Sequence, residues 1–367
     1  MTTRLSTTRS RSCAASSSHS RPEKMQMSAL CLIPDAQFEG PADVEVSVAG
    51  ERLEFAVSRS GSLLSFDRSV LDRAEACALW QQAEVDGAVL DRMPNCRIIA
   101  RCGTGFDRID LSEAGRRGIP VCNVPDYGTC EVADHAMAMA LALIRGLNVY
   151  DRNIRAERIQ GWNYALAPLV SRTRKRLFAV VGLGRIGTAV ARRAKAFDYD
   201  VAFFDPYVCD GMDIALGIER VNSLEALAER ADILSIHTPL RQETHHLVGA
   251  DLMARMKASA IIVNTARGPC LDVDTALDFL ANGRIGGLAL DVLEAEPPQS
   301  ASTMARALVS DDPRLRDRLL VSPHAAFYSP DARFEMRARA IETILAYLAD
   351  GSLRNCVNRE FLVGGVQ

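Results

Sequence analysis

Leu177–Val181 is an unbroken apolar run that opens directly onto Gly182-Leu183-Gly184-Arg185-Ile186-Gly187. Such a run reads as a strand buried on both faces of a parallel sheet. The glycines that follow impose a tight reversal, and the pattern after them predicts a helix over about 186–197. A further strand is expected at 200–205, closed by Asp205 about 20 residues on. Strand, glycine turn, helix, strand and acid in that order point to a doubly wound α/β sheet.

Each part of the turn has a physical task. Gly182 permits the reversal, Gly184 lets the backbone approach a pyrophosphate, and Gly187 lets helix and strand pack closely. The helix start offers free N–H groups and the positive end of its dipole to phosphate. A tight turn without a ligand is the plainer reading, but strand, helix and acid together favour a dinucleotide. Asp205 would accept from the adenosine ribose hydroxyls. Pro206 and Tyr207 beside it supply no cation for a 2′-phosphate, so NAD rather than NADP is expected.

The alternation continues with helices at 223–230, 251–257 and 274–282, the last stopped by Gly283. Strands fall at 233–237, 260–264, 287–292 and 319–322. With the two above, six strands alternate with helices, the signature of a Rossmann sheet. Upstream, strands are expected at 87–90, 97–100 and 119–123. Residues 131–152 read as a helix apolar on most sides, suited to burial between domains or subunits. The expected architecture is a doubly wound NAD domain at 130–323. It is inserted into a smaller flavodoxin-like α/β substrate domain formed by 28–129 and 324–367, and a homodimer is expected.

Ligands of open parallel sheets sit beyond the carboxyl ends of the strands. One such end carries Thr265-Ala266-Arg267-Gly268, a second carries Asp291 and leads to Glu294 and Glu296, and a third carries Pro323-His324-Ala325-Ala326. Reducing a 2-oxo acid calls for this set. Arg267 can grip the carboxylate and steady charge on the carbonyl oxygen. His324 can donate the proton, and Glu296 can orient its ring. Singly, such a histidine is more often structural and such an arginine solvated; their joint placement favours chemistry.

These motifs, with Arg101-Cys102-Gly103-Thr104-Gly105-Phe106-Asp107, resemble those of the D-isomer-specific 2-hydroxyacid dehydrogenases over about 96–362. Within that family the chain looks most like the C-terminal-binding protein branch, through Asp205-Pro206-Tyr207, Asp210-Gly211, Ala215-Leu216-Gly217, His324 to Ser329 and Asn355-Cys356-Val357-Asn358. The resemblance implies Arg267, Glu296 and His324 as the catalytic set. It implies NAD contacts from Thr104, the turn Gly182 to Gly187, Asp205, His237, Thr238, Pro239, Thr265, Ala266 and Asp291. Arg101 and Gly103 would hold the substrate carboxylate; the plainer role for Arg101 is partner to a nearby acid. The branch usually has Trp where this chain has Phe327, so its substrate preferences do not carry over.

The remaining signals narrow the field. A net charge of -3 in 367 residues gives no basic field for nucleic acid. Ten scattered cysteines with no Cys-x-x-Cys spacing argue against a disulfide framework or a zinc site and fit the cytoplasm. The most apolar stretch, 136–144, is far short of the ~20 residues that cross a bilayer, so no membrane role is expected. Residues 1–27, rich in Ser, Thr and Arg, read as a disordered tail or an over-long start, with a mitochondrial targeting peptide the minority alternative. His245-His246 reads as a surface loop and His135 as a packed or capping histidine; no metal is expected. Two other functions compete: an NAD(H)-sensing scaffold for partner peptides, and a phosphoglycerate dehydrogenase.

Overall fold

In the computed structural model, which describes residues 28–157 and 159–362, two all-parallel sheets organise the chain. The first holds β1 (Ala29–Ile33), β2 (Leu53–Val57), β3 (Ala74–Leu79), β4 (Ile98–Arg101) and β5 (Val121–Asn123). Its order, β2-β1-β3-β4-β5, is that of flavodoxin-like sheets. The second holds β6 (Leu177–Val181), β7 (Asp200–Phe204), β8 (Glu219–Arg220), β9 (Ile233–Ile236), β10 (Ile261–Asn264), β11 (Gly287–Leu290) and β12 (Leu319–Val321). It winds from β6 outward through β7 to β8, then restarts at β9 on the other side of β6. The β6/β9 boundary is thus a topological switch point, where a crevice opens beyond the strand ends.

The six strands expected of this sheet are present, and β8 adds a seventh, a two-residue edge strand too short to leave a sequence pattern. β6, β9, β10 and β11 are buried throughout. Leu234, Ile262 and Leu290 feed one face's core, whereas Phe178, Val180 and Val263 feed the other.

Two expectations need correction. Residues 87–90 form a short helix, not a strand, because the Asp86 carboxylate accepts from Val89 N at 2.9 Å and caps it. The helix expected over 131–152 is two helices, Thr129–Arg145 and Leu147–Glu157, bent by 59° at Gly146, whose φ is 67°. The first is apolar on most sides because it lies inside its own chain. Ala133, Ala136, Met137 and Ala140 share a core with Val190, Ala191 and Ala194 of the Arg185–Ala196 helix. Among the described residues no single helix is long and apolar enough to cross a membrane. The tail reading for 1–27 falls outside the described residues.

The end of the chain returns to the first sheet. Ser329 caps the Pro330–Asp350 helix through Ala332 N at 2.9 Å. Met336, Ala340, Ile341 and Ile344 then pack with Cys31, Ile33, Ala76 and Ile98. On this helix, buried Arg337 donates to both Glu45 oxygens at 2.8 and 2.6 Å, reaches Asp43 at 2.7 Å and lies 4.1 Å from the Phe38 ring centroid. Buried Asn358 stitches the edge, accepting from Val121 N at 2.8 Å and donating to Ile119 O at 3.0 Å.

Candidate active site

The glycine turn lies at the switch point. Gly182 has φ 89°, and a Cβ there would come within 2.9 Å of His237 O, at the end of β9. A Cβ on Gly187 would sit 2.0 Å from Gly182 O, so the helix closes tightly over the turn. Gly184 differs: a Cβ there would meet nothing within 4 Å, and no side chain caps the helix N–H groups that follow. Just beyond β10 and β9, at the same end of the sheet as this cradle, Thr265 Oγ1 and His237 Nδ1 are buried without a partner among the described residues. An open cradle, free amides and unsatisfied polar atoms fit a dinucleotide.

The side chains around the cradle are held in place. Asp205 accepts from Leu183 N at 2.7 Å and from Tyr207 N at 2.9 Å, which fixes a negative charge at the turn's edge. Arg185 Nε reaches Asp126 at 2.7 Å. His237 Nε2 lies 2.8 Å from Ser235 Oγ, and burial pulls its pKa down to about 3, so the ring is neutral. Thr238 Oγ1 donates to Cys270 Sγ at 3.7 Å, and Pro239 O accepts from Thr244 Oγ1 at 2.6 Å.

Beyond β10, β11 and β12 the expected trio comes together. Buried Asn264 shapes the first turn, accepting from Ala266 N at 3.0 Å and donating to Arg267 O at 2.9 Å. Arg267 Nη1 donates to Ala266 O at 2.7 Å, while Nη2 has no partner among the described residues. His324 Nδ1 lies 2.7 Å from Glu296 Oε2, and Glu296 Oε1 accepts from Leu293 N at 2.8 Å. Burial pushes the Glu296 carboxyl up, but the His324 hydrogen bond and charge, the Leu293 N–H and Arg267 outweigh it and hold it below the usual carboxylate value. Glu294, in contrast, pairs with His246 at 2.7 Å, whose ring stacks on His245 at 4.2 Å. Among the described residues no group of three potential ligands is placed to hold a metal.

The first sheet contributes from the end of β4. Arg101 donates to Cys102 O and has no acidic partner among the described residues. Burial pulls its guanidinium below its ordinary pKa, and the neighbouring charge of Arg267 pulls the same way. The plainer reading of Arg101, as a partner to a nearby acid, therefore loses its footing. Gly103, at φ 137°, leaves room for that guanidinium, since a Cβ would fall 2.4 Å from Arg101 Nη1. Thr104 O accepts from Asn123 Nδ2 at 2.7 Å. Phe327 packs edge-on between Tyr127 and His324, with ring centroids 6.0 and 6.3 Å away.

Some site residues were not visible in the sequence. Asp107 Oδ2 accepts from Arg267 Nε at 2.8 Å, tying the loop after β4 to the turn after β10. Asp291 had been expected as a cofactor contact, yet both its carboxylate oxygens are engaged by the His324 turn: Oδ1 accepts from Ala325 N at 2.8 Å and Oδ2 from Ala326 N at 3.0 Å. Ser322 and His135 stand behind it. Asp107 closes the Arg101-to-Asp107 motif and Ser322 lies two residues before His324, but neither carried a role of its own in the sequence.

Two parallel sheets, with a dinucleotide cradle at one switch point and an Arg/Glu/His set at the strand ends, define a Rossmann-type oxidoreductase. Residues 137–326 match the model of the D-isomer specific 2-hydroxyacid dehydrogenase, NAD binding domain. The chain is 36% identical over 280 residues to a glyoxylate reductase of Korarchaeum cryptofilum, covering 75% of this chain and 80% of the relative. It is 33% identical over 299 residues to a glyoxylate reductase of Thermofilum pendens, covering 80% and 84%. The fold superposes on the crystal structure of an NADPH-dependent glyoxylate/hydroxypyruvate reductase of Sinorhizobium meliloti in complex with NADP and malonate, with a TM-score of 0.78, 26% identity and coverage of 89% and 96%. The chain belongs to the D-isomer specific 2-hydroxyacid dehydrogenase family. It is an NAD(P)-dependent oxidoreductase acting on CH–OH donors.

Proposed function

We propose that this protein interconverts a small 2-oxo acid, glyoxylate foremost, and the corresponding 2-hydroxy acid, of D configuration where the product is chiral, with NAD(H) as its nucleotide. The observation that carries this reading is the His324–Glu296 pair, 2.7 Å apart, beside Arg267 and the uncompensated Arg101. The turn Gly182 to Gly187 would hold a nicotinamide dinucleotide, which would supply or take up the hydride. Arg101 and Arg267 attract the acid's carboxylate, and the free Nη2 of Arg267 steadies charge on its carbonyl oxygen. His324, held at Nδ1 by Glu296, gives its Nε2 proton to that oxygen, and in the reverse direction takes it back. The names of the relatives support glyoxylate, and Asp205 beside the turn supports NAD over NADP.

We further propose that 130–323 is the NAD domain, inserted into a substrate domain made of 28–129 and 324–367. A homodimer fits the exposed apolar residues around Trp162. The likeness to the C-terminal-binding protein branch rests on the motifs at 205–217, 324–329 and 355–358. Loss of NADH absorbance is expected with glyoxylate, hydroxypyruvate or pyruvate. Turnover confined to 3-phosphohydroxypyruvate would move the reading to phosphoglycerate oxidation. NADH binding with no turnover on the whole panel would overturn the enzymatic reading and leave the scaffold.

A further inference from the structure

His324 has φ 50°, a left-handed backbone that a residue with a side chain adopts rarely and only where its surroundings over-determine it. One residue supplies that determination. Asp291 accepts three successive amides: His324 N on its main-chain oxygen at 2.8 Å, Ala325 N on Oδ1 at 2.8 Å and Ala326 N on Oδ2 at 3.0 Å. Asp291 is 2% exposed, so any loosened donor leaves a buried charge short of a partner.

The network extends two residues further. Ser322 Oγ donates to Asp291 Oδ1 at 2.6 Å, which commits its single proton. Its oxygen can then only accept from His135 Nε2, 2.8 Å away, so that nitrogen carries a hydrogen. His135 stands on the Thr129–Arg145 helix, which is embedded in the core. A rigid helix is thus joined through Ser322 and Asp291 to the turn bearing His324.

We propose that His135 is a positioning residue for His324, acting through Ser322 and Asp291 to hold the turn from which the proton is delivered. This rests on the role given to His324 above. Without the His135 donor, Ser322 can rotate away from Asp291, and the amides of the turn lose a fixed acceptor. Proton delivery suffers while the arginines that hold the acid stay in place.

The test compares His135→Leu, His135→Gln and Ser322→Ala in the full chain with NADH and the acid on which the wild type turns over. His135→Leu is expected to lower kcat about 10- to 100-fold with KM for the acid changed less than about threefold. His135→Gln, whose amide N–H can still reach Ser322, is expected to restore most of the loss. Ser322→Ala should match His135→Leu, and the double variant should lose no more than either single one. A second readout needs no turnover: with ¹⁵N-labelled histidine, the Nδ1 proton of His324 shared with Glu296 gives a downfield signal. That signal should broaden or vanish in His135→Leu and persist in His135→Gln. An unchanged kcat and signal in His135→Leu, or an equal loss in His135→Gln, would overturn the proposal. A wild type with no turnover would sink the reading of the site, while the imidazole signals would still decide the role of His135.

Discussion

His324 and Glu296 meet through Nδ1 and Oε2 at 2.7 Å, a contact that leaves His324 Nε2 without a partner among the described residues. The ring is therefore oriented from one side and available on the other. Chemistry at a carbonyl oxygen needs this division.

Removing the ring should remove the chemistry and little else. His324→Ala is expected to cut kcat by about 10²–10⁴-fold while leaving nucleotide affinity close to wild type. Steady-state kinetics and fluorescence titration with NADH measure the two separately. Unchanged turnover would refute the assignment.

Glu296 carries a pH signature. Folding lowers its pKa: burial raises it, and the His324 contact more than reverses this. A carboxylate depressed by folding adds stability that is complete above its unfolded value and is lost as pH falls through the folded one. The Tm gap between wild type and Glu296→Gln should then be full near neutrality and close below about pH 4. A gap that widens on acidification would contradict the sign.

The turn's glycines should separate folding from binding. Gly187→Ala forces a Cβ to within 2.0 Å of Gly182 O, and such overpacking costs about 1–3 kcal/mol, visible as a lower Tm. Gly184→Ala meets open space at φ −72°, a value alanine adopts freely. Its Tm should match wild type while NADH binds at least about tenfold more weakly, because the methyl occupies the approach to the pyrophosphate. Equal NADH affinity in Gly184→Ala would remove the cradle from the binding site.

The second sheet was legible because parallel strands buried on both faces write themselves as apolar runs, and β6 to β12 mostly do. Gly87–Leu90 misled for the same reason: its four residues are apolar enough for a strand, and the cue against it was one capping acid, Asp86. Gly146 ended the apolar helix directly before a more polar one, Leu147–Glu157, and a single glycine was the only local mark of the bend. At the site, Arg267, Glu296 and His324 were legible because strand ends are fixed by the same periodicity. The partners that hold them were not. Asp107 lies 160 residues from Arg267, and His135 lies 187 from Ser322; no local pattern encodes such pairings.

The proposed preference for NAD rests on Asp205. Its carboxylate is fixed by Leu183 N and Tyr207 N, where a 2′-phosphate would arrive beside it. Two like charges about 4 Å apart repel by about 4 kcal/mol at a protein surface, less with salt screening. NADH should have the lower KM in wild type, and Asp205→Ala should narrow the NADH/NADPH ratio by about tenfold or more. A wild type that prefers NADPH would show that the acid does not exclude the phosphate.

The exposed apolar residues past Gly146 make the last case. The Thr129–Arg145 helix spends its apolar surface within its own chain, so the proposed homodimer rests on the segment that follows. Ile159, Trp162 and Tyr164 are 89%, 79% and 90% exposed, with Leu147 and Val170 exposed in the same stretch. Tyr150 Oη donates to Tyr164 O at 2.7 Å, which ties the loop to the Leu147–Glu157 helix with these side chains outward. Clustered exposed apolar side chains mark an interaction surface, and a second copy would present the same segment to a symmetric contact. Sedimentation at micromolar concentration should give a dimer, and Trp162→Ser with Tyr164→Ser should shift it toward monomer with the Tm of the separated subunit retained. A wild-type monomer under those conditions would refute the homodimer, and a dimer indifferent to both substitutions would place its interface on another face of the chain.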